Sequence, residues 1–304
     1  MIASTNLPDF FIIGAARSGT TALYQYLTQH PEISMSDPKE PHYFALCDHP
    51  LDFQGPGDAE TINRKAIIGA AEYGQLFAHM GEARARGEAS VSYLYYSEAA
   101  RRIRECVPGA RLICLLRNPV ERAFSAYSFL RTRLFEPEED FRVALADEPR
   151  RIRENWHHLW HYRAMGQYDQ QLPAYLERFP SEQIRYFLYD EFQRDPQSVL
   201  TECFRFLQVN PNFIPRHTPS PHFSGKPRNR FLSRLLTREH PLKTMLKPLV
   251  PQGLRHRLRG LLGKANVERV GLEPELRRTL RDDFRPGILR LQELIGKDLS
   301  NWIE

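Results

Sequence analysis

The chain has 304 residues, with 42 Lys+Arg against 37 Asp+Glu, 11 His, 23 Pro and four Cys, and 41% of it is apolar and 26% charged. This composition excludes collagen-like, disulfide-scaffold and wholly disordered classes, which need a Gly period, dense Cys or far less apolar content. One domain spanning 1–304 is expected. No stretch approaches the roughly 18 apolar residues of a membrane span, and MIASTNLPDF has neither the basic flank nor the apolar core of a signal peptide. The expectation is therefore a cytoplasmic protein. Cys47, Cys106, Cys114 and Cys203 are scattered, which suits free thiols better than zinc ligation.

Charge is unevenly spread. Residues 216–290 hold 18 Lys+Arg and 6 Asp+Glu, a net +12, against 24 and 31, a net −7, in the remainder. A basic block facing an acidic body points to an anionic ligand, although most of its arginines read as solvated helix faces.

In chain order, Asp9-Phe-Phe-Ile-Ile-Gly14 reads as a buried strand, Ala15 to Thr21 as a turn, and the stripe Ala22, Leu23, Tyr26 and Leu27 as a helix stopping at His30-Pro31. The turn has the spacing G-x-x-x-x-G between strand and helix, the context of a phosphate cradle made from main-chain amides and a helix N-terminus. Thr20 stands where a nucleotide-hydrolysing loop carries Lys, so kinase or NTPase work is disfavoured while binding of a terminal 5′-phosphate stays open.

Ser36-Asp-Pro-Lys39-Glu40-Pro41-His42-Tyr-Phe44 follows, and its prolines present Lys39, Glu40 and His42 on a stiffened loop. Either Glu40 or His42 is a candidate base. His42 titrates nearer neutrality, and partial burial would aid Glu40.

Arg111 to Arg117 reads as a second strand, followed by Asn118 as N-cap, Pro119 at the first helical position, and the core stripe Val120, Phe124, Tyr127. Arg117 leaves a strand's C-terminal end and Ser125 lies two turns along the helix, a fork and a hydroxyl that fit a second phosphate. Residues 131–168, rich in charge, His and Trp, are expected to form helices over the sheet's edge as a possible lid. A third strand is expected at Gln183–Tyr189, with Asp195-Pro196 opening a helix through Leu207. From 216 to 304 come a basic loop and closing helices, whose core face is Leu276, Leu280, Phe284, Leu291 and Leu294, with Trp302 buried. Alternating strands and helices predict an α/β fold, a parallel sheet covered on both faces.

Two separated anion grips, one lacking the hydrolytic Lys, form the pattern of a binder of adenosine phosphorylated at both its 5′ and 3′ ends. Here the sequence resembles the PAPS-dependent sulfotransferases, nearest to a bacterial branch similar to carbohydrate (heparan-sulfate-type) enzymes. The resemblance runs through 10–44, GEASVSYLYY (87–96), LICLLRNPVERAFSAYSFLR (112–131), YDEFQRDPQSVLTECFRFL (189–207), SGKPRNRFL (224–232) and RPGILRLQELIGKDLSNW (285–302). It implies a P-loop-type sheet, 3′-phosphoadenosine 5′-phosphosulfate (PAPS) as donor, PAP as product, and no required metal. It also implies in-line transfer of a sulfuryl group to a hydroxyl of a glycan or small-molecule natural product, with no nucleic-acid partner.

By the same resemblance, Arg17, Ser18, Gly19, Thr20 and Thr21 hold the 5′-phosphosulfate, Arg117 and Ser125 the 3′-phosphate, and Tyr189 lies along the adenine. Ser224, Gly225, Lys226 and Arg228 belong to a loop closing over the 3′-phosphate, and Glu40 is the general base, with His42 its rival. Two departures stand out. Arg17 replaces a frequent Lys, and Ala89 stands where carbohydrate-type members commonly carry another. Because Arg cannot readily give up a proton, Lys39 becomes the candidate for leaving-group assistance. The alternatives are a Mg²⁺-dependent small-molecule kinase with an irregular P-loop and a non-enzymatic binder of nucleic acid or anionic surfaces.

Overall fold

A computed structural model of the chain describes residues 7–81, 83–217 and 271–304, together with the main chain of 226–227 and 267–268. Its centre is a five-stranded sheet in the order β2-β3-β1-β4-β5, formed by β1 (Phe10–Gly14), β2 (Ile33–Met35), β3 (Ala85–Ala89), β4 (Arg111–Leu116) and β5 (Ile184–Leu188). All pairings are parallel; Phe10 sits opposite Gly87 on one side and Arg111 on the other, and Leu112 opposite Ile184.

The strand alternation divides the apolar run of β1 between two cores. Phe11 and Ile13 join Leu112, Cys114 and Leu116 of β4 on one face, packed by the short α2 (Tyr43–Leu46), α3 (Glu98–Cys106), α4 (Pro119–Thr132) and the closing helix α6 (Pro274–Ile295). Phe10 and Ile12 join Ile113, Leu115 and Phe187 on the other, packed by α1 (Thr20–Leu27) and α5 (Pro196–Leu207). Each fully buried large apolar side chain contributes about 1.5–3 kcal/mol, which is why the central strands read as unbroken apolar runs.

The local punctuation is as expected: Asn118 accepts from the Val120 amide and Asp195 from Ser198, each with Pro at the first helical position. Strands β2 and β3 were not anticipated, because Ala-Arg-Gly-Glu-Ala has no apolar pattern; its charges are absorbed by partners, Arg86 pairing with Asp9 at 3.0 Å. On α6 the buried stripe is Leu276, Leu280, Phe284, Ile288 and Leu291, whereas Leu294 is exposed. That corrects its expected place in the core: the packed stripe continues from Leu291 to Ile295, four residues on, which leaves Leu294 at its solvent edge. Trp302 is buried.

The segment 131–168 is tied into the larger core. Arg151 and Glu136, both without solvent exposure, form a bidentate pair at 2.8 and 2.9 Å, the Tyr162 hydroxyl also donates to Glu136, and Trp160, Tyr162 and Tyr168 are buried. All four cysteines are free, Cys114 and Cys203 buried. Among the described residues no helix is long and apolar enough to cross a membrane.

Candidate active site

The chain runs from β1 to β2 and β3 on one side, then returns to β4 on the other, so the sheet's switch point lies between β1 and β4. Open α/β sheets bind ligands in the crevice beyond the strand ends at such a point. The turn after β1 stands there. Arg17 and Gly19 both adopt left-handed conformations, φ 67° and 91°, which reverse the chain into α1. A Cβ on Gly19 would meet the Tyr189 ring at 3.0 Å, so both the backbone and the neighbour demand glycine. Thr20 and Thr21 form the first turn of α1, with Thr20 buried. The Ser18 side chain is fully buried, its hydroxyl in the neighbourhood of the Tyr168 hydroxyl.

Arg117, at the end of β4, donates from Nη1 to the main-chain carbonyl of Arg17 at 3.0 Å and lies over the Tyr189 ring at 4.6 Å. Arg17 Nε donates to Ser125 Oγ at 3.4 Å, and its guanidinium stacks on Phe129 at 4.3 Å. The two grips expected to be separate are therefore contiguous, and Tyr189 packs between Gly19 and Arg117. Burial, followed by the like charges of Arg117 and Arg133, pulls the Arg17 pKa down to about 10; burial also lowers that of Arg117. Crowded cations of this kind are stabilised by an arriving anion.

Beside this cluster runs the Lys39–His42 loop, stitched to the end of β3. The Glu40 amide donates to the Ala89 carbonyl at 2.9 Å and the His42 amide to Ser90 Oγ at 3.0 Å. Glu40 and His42 are both left-handed, φ 63° and 60°. Lys39 Nζ donates to Glu40 Oε1, and His42 Nε2 stands 3.8 Å from Glu40 Oε2. Burial pushes the Glu40 pKa up, but Lys39, His42 and Arg17 outweigh it and the net shift is downward. His42 is driven down to about 4, chiefly by burial, so its ring is neutral near pH 7. Near pH 7 Glu40 is thus an ionised carboxylate and His42 a neutral imidazole.

Further neighbours complete the site, and among them Glu88, Arg133 and His158 were given no role by the sequence. Glu88 is fully buried and accepts from the Tyr93 hydroxyl at 2.5 Å and Tyr73 at 3.2 Å; burial raises its pKa to about 7. The Tyr168 hydroxyl donates to the Arg117 carbonyl at 3.1 Å. Arg133 shares the Phe129 ring with Arg17. His157, paired with Asp58 at 2.6 Å, and His158, whose ring stands 5.7 Å from that of His42, enter from segment 131–168. Trp156, Trp160, Tyr162 and Tyr168 are buried packing residues.

Of the expected phosphate loop, Ser224, Gly225 and Arg228 lie outside the described residues. The main chain at Lys226–Pro227 pairs antiparallel with Val267–Glu268 and lies against α4, the helix that carries Ser125.

The sulfotransferase family model, described as "Sulfotransferase family", matches residues 8–212. A crystal structure of a sulfotransferase from Alicyclobacillus acidocaldarius superposes with a TM-score of 0.79 at 37% identity, covering 98% of this chain and 99% of that one. The heparan sulfate glucosamine 3-O-sulfotransferase 3A1 of Mus musculus is 26% identical over 300 residues, 98% of this chain and 65% of that protein. The bifunctional heparan sulfate N-deacetylase/N-sulfotransferase 1 of Caenorhabditis briggsae is 26% identical over 243 residues, 76% of this chain but 25% of its own length. The chain thus spans between a quarter and just under two thirds of these curated relatives. Neither the kinase nor the anionic-surface reading finds support in these matches. On the match to more than half its length, the chain belongs to the sulfotransferase family.

Proposed function

We propose that the protein moves a sulfuryl group from PAPS to a hydroxyl of a glycan or small-molecule natural product. The observation that carries this reading is the contiguity of two cationic grips at the switch point, joined by the hydrogen bond from Arg117 to the Arg17 carbonyl. The residues present fit such a donor: a buried Ser18 hydroxyl, a left-handed Gly19 and mutually repelling arginines all favour a polyanion.

In this reading Arg17, Ser18, Gly19, Thr20 and Thr21 hold the 5′-phosphosulfate, Arg117 and Ser125 the 3′-phosphate, and Tyr189 flanks the adenine. Main-chain Lys226, with Ser224, Gly225 and Arg228, belongs to the loop assigned to the same 3′-phosphate. When bound, PAPS supplies an activated sulfuryl group whose leaving group is a phosphate. Glu40 then receives the acceptor's proton, an ionised carboxylate held ready by three neighbouring basic groups. Arg17 and the turn amides neutralise charge growing on the leaving side; donors so aimed are typically worth ~3 kcal/mol each. Lys39, adjacent to the base and able to release a proton as Arg17 is not, assists the leaving group. The chemistry asks no metal of these side chains.

Thermal shift with 3′,5′-ADP, 5′-ADP and ATP, each with and without Mg²⁺, tests the reading. At 100 times its Kd a ligand stabilises by ~2.7 kcal/mol. A metal-independent response strongly favouring 3′,5′-ADP is expected; equal responses to all three nucleotides would overturn it.

A further inference from the structure

His42 is neutral, so one ring nitrogen carries a proton and the other a lone pair, and which is which decides what it offers Glu40. The hydrogen-bond network around Nδ1 answers this. Ser92 has no solvent exposure, and among the described residues its hydroxyl has one hydrogen-bond partner, His42 Nδ1 at 2.7 Å. Its carbonyl is occupied by the amides of Tyr95 and Tyr96 at 3.1 and 3.0 Å.

Suppose Nδ1 carried the proton. The Ser92 hydroxyl would then accept, leaving its own hydrogen buried without an acceptor, and Nε2 would turn a lone pair toward the carboxylate oxygen of Glu40 at 3.8 Å. If Ser92 donates to Nδ1 instead, both conflicts vanish and Nε2–H faces that oxygen. The separation exceeds a hydrogen bond, as is common before substrate closes a site.

We propose that Ser92 is a positioning residue: its hydroxyl donates to Nδ1 of His42, holds the ring as the Nε2–H tautomer against Glu40, and makes His42 a donor to the base instead of a second base. The inference rests on Glu40 as the base in the reading above. The charged and titratable groups facing the pair come from three elements. Lys39 shares the loop, Arg17 reaches Glu40 from the turn after β1, and His157 and His158 approach His42 from segment 131–168. His158 is itself held neutral by burial and by its histidine neighbours, so it presents no charge that would reverse the arrangement.

The experiment has two arms. In the first, ¹⁵N-histidine NMR of the full chain near pH 7, with the His42 signals assigned by their loss in His42→Gln, reads the tautomer directly. A protonated Nε2 and bare Nδ1 in the parent, giving way to a mixture in Ser92→Ala and restored in Ser92→Thr, is expected; a protonated Nδ1 in the parent overturns the proposal even if Ser92→Ala fails to fold.

In the second arm, Ser92→Ala should keep its 3′,5′-ADP thermal shift and its KM for donor while kcat falls on the order of tenfold. The acid limb of its kcat/KM profile should move to higher pH, because a carboxylate that loses a donor is more easily protonated, and Ser92→Thr should restore both. An unmoved limb overturns the positioning role. Undiminished turnover in Glu40→Gln would instead remove the catalytic reading on which this rests, and the NMR arm would still report the tautomer.

Discussion

The guanidinium of Arg117 donates to the main-chain carbonyl of Arg17 at 3.0 Å, so the end of β4 holds the turn that follows β1 from underneath. Loss of Arg117 should therefore disturb both anion grips at once. Arg117→Ala is expected to weaken 3′,5′-ADP binding by roughly ten- to a hundredfold, the range for a hydrogen bond to a charged group. Ser125→Ala, which removes one neutral donor, should cost about tenfold or less. Isothermal titration calorimetry measures both, and parental affinity in Arg117→Ala would refute the assignment.

Glu40 sits among Lys39, His42 and Arg17, which together hold its carboxyl below the ordinary range despite burial. A base works only when deprotonated, so kcat/KM should stay flat through neutrality and fall only below the usual carboxylate pKa of about 4.3. Glu40→Gln should keep nucleotide affinity and lose about 10²–10⁴-fold in turnover. Intact turnover in that variant would move the base role to His42.

Lys39 and Arg17 both stand near the leaving side, but only the ammonium readily gives up a proton. In single-turnover measurements Lys39→Ala should slow the chemical step markedly while 3′,5′-ADP affinity stays near parental, whereas Arg17→Ala should lose both. Near-parental turnover in Lys39→Ala removes its proposed role.

Gly19 combines a φ of 91° with a Tyr189 ring 3.0 Å from where a Cβ would lie. Gly19→Ala is expected to destabilise the fold by about 1–3 kcal/mol, the cost of a side chain in that region, and to weaken nucleotide binding by displacing Tyr189. Urea unfolding combined with titration checks both; an unchanged midpoint would contradict the strain argument.

Glu88 is fully buried, and burial raises its carboxyl to about 7, above the value of 4.5 expected of the group in an unfolded chain. The folded state thus binds the proton more tightly. The stability this group contributes is fully present below the unfolded value and is lost as pH rises through about 7. Glu88→Gln mimics the protonated form. The Tm of the parent minus that of Glu88→Gln should therefore be more favourable to the parent at about pH 5.5 than at about pH 8. A difference independent of pH would show that the carboxyl does not titrate in this interval.

How much of this was legible varied with how local the signal was. Phe10–Gly14 and Arg111–Leu116 announced themselves as apolar runs, the strand at Ile184–Leu188 was expected within 183–189, and Asn118-Pro119 and Asp195-Pro196 read as helix starts, because such signals lie within a few neighbouring residues. Ala85–Ala89 did not, since a strand may half-bury Arg86 and bury Glu88 when Asp9 and two tyrosines from elsewhere satisfy them. Ile288 and Ile295 rather than Leu294 face the core for a comparable reason: periodicity nominates a broad stripe, and the packing partner decides which of its edges is covered.

The order of residues alone determined the strand, turn and helix starts around Gly14–Thr21 and Arg117–Ser125, and it nominated these segments and Lys39–His42 for anion-binding and proton-moving chemistry through residue types at close spacing. The strand order decided that they meet. Arg17 touches Ser125 across 108 positions, His42 touches Ser92 across 50, and Tyr168 props Arg117 across 51. Such contacts follow from which strands lie side by side, a long-range choice set by the burial of both sheet faces together, so no local pattern records them.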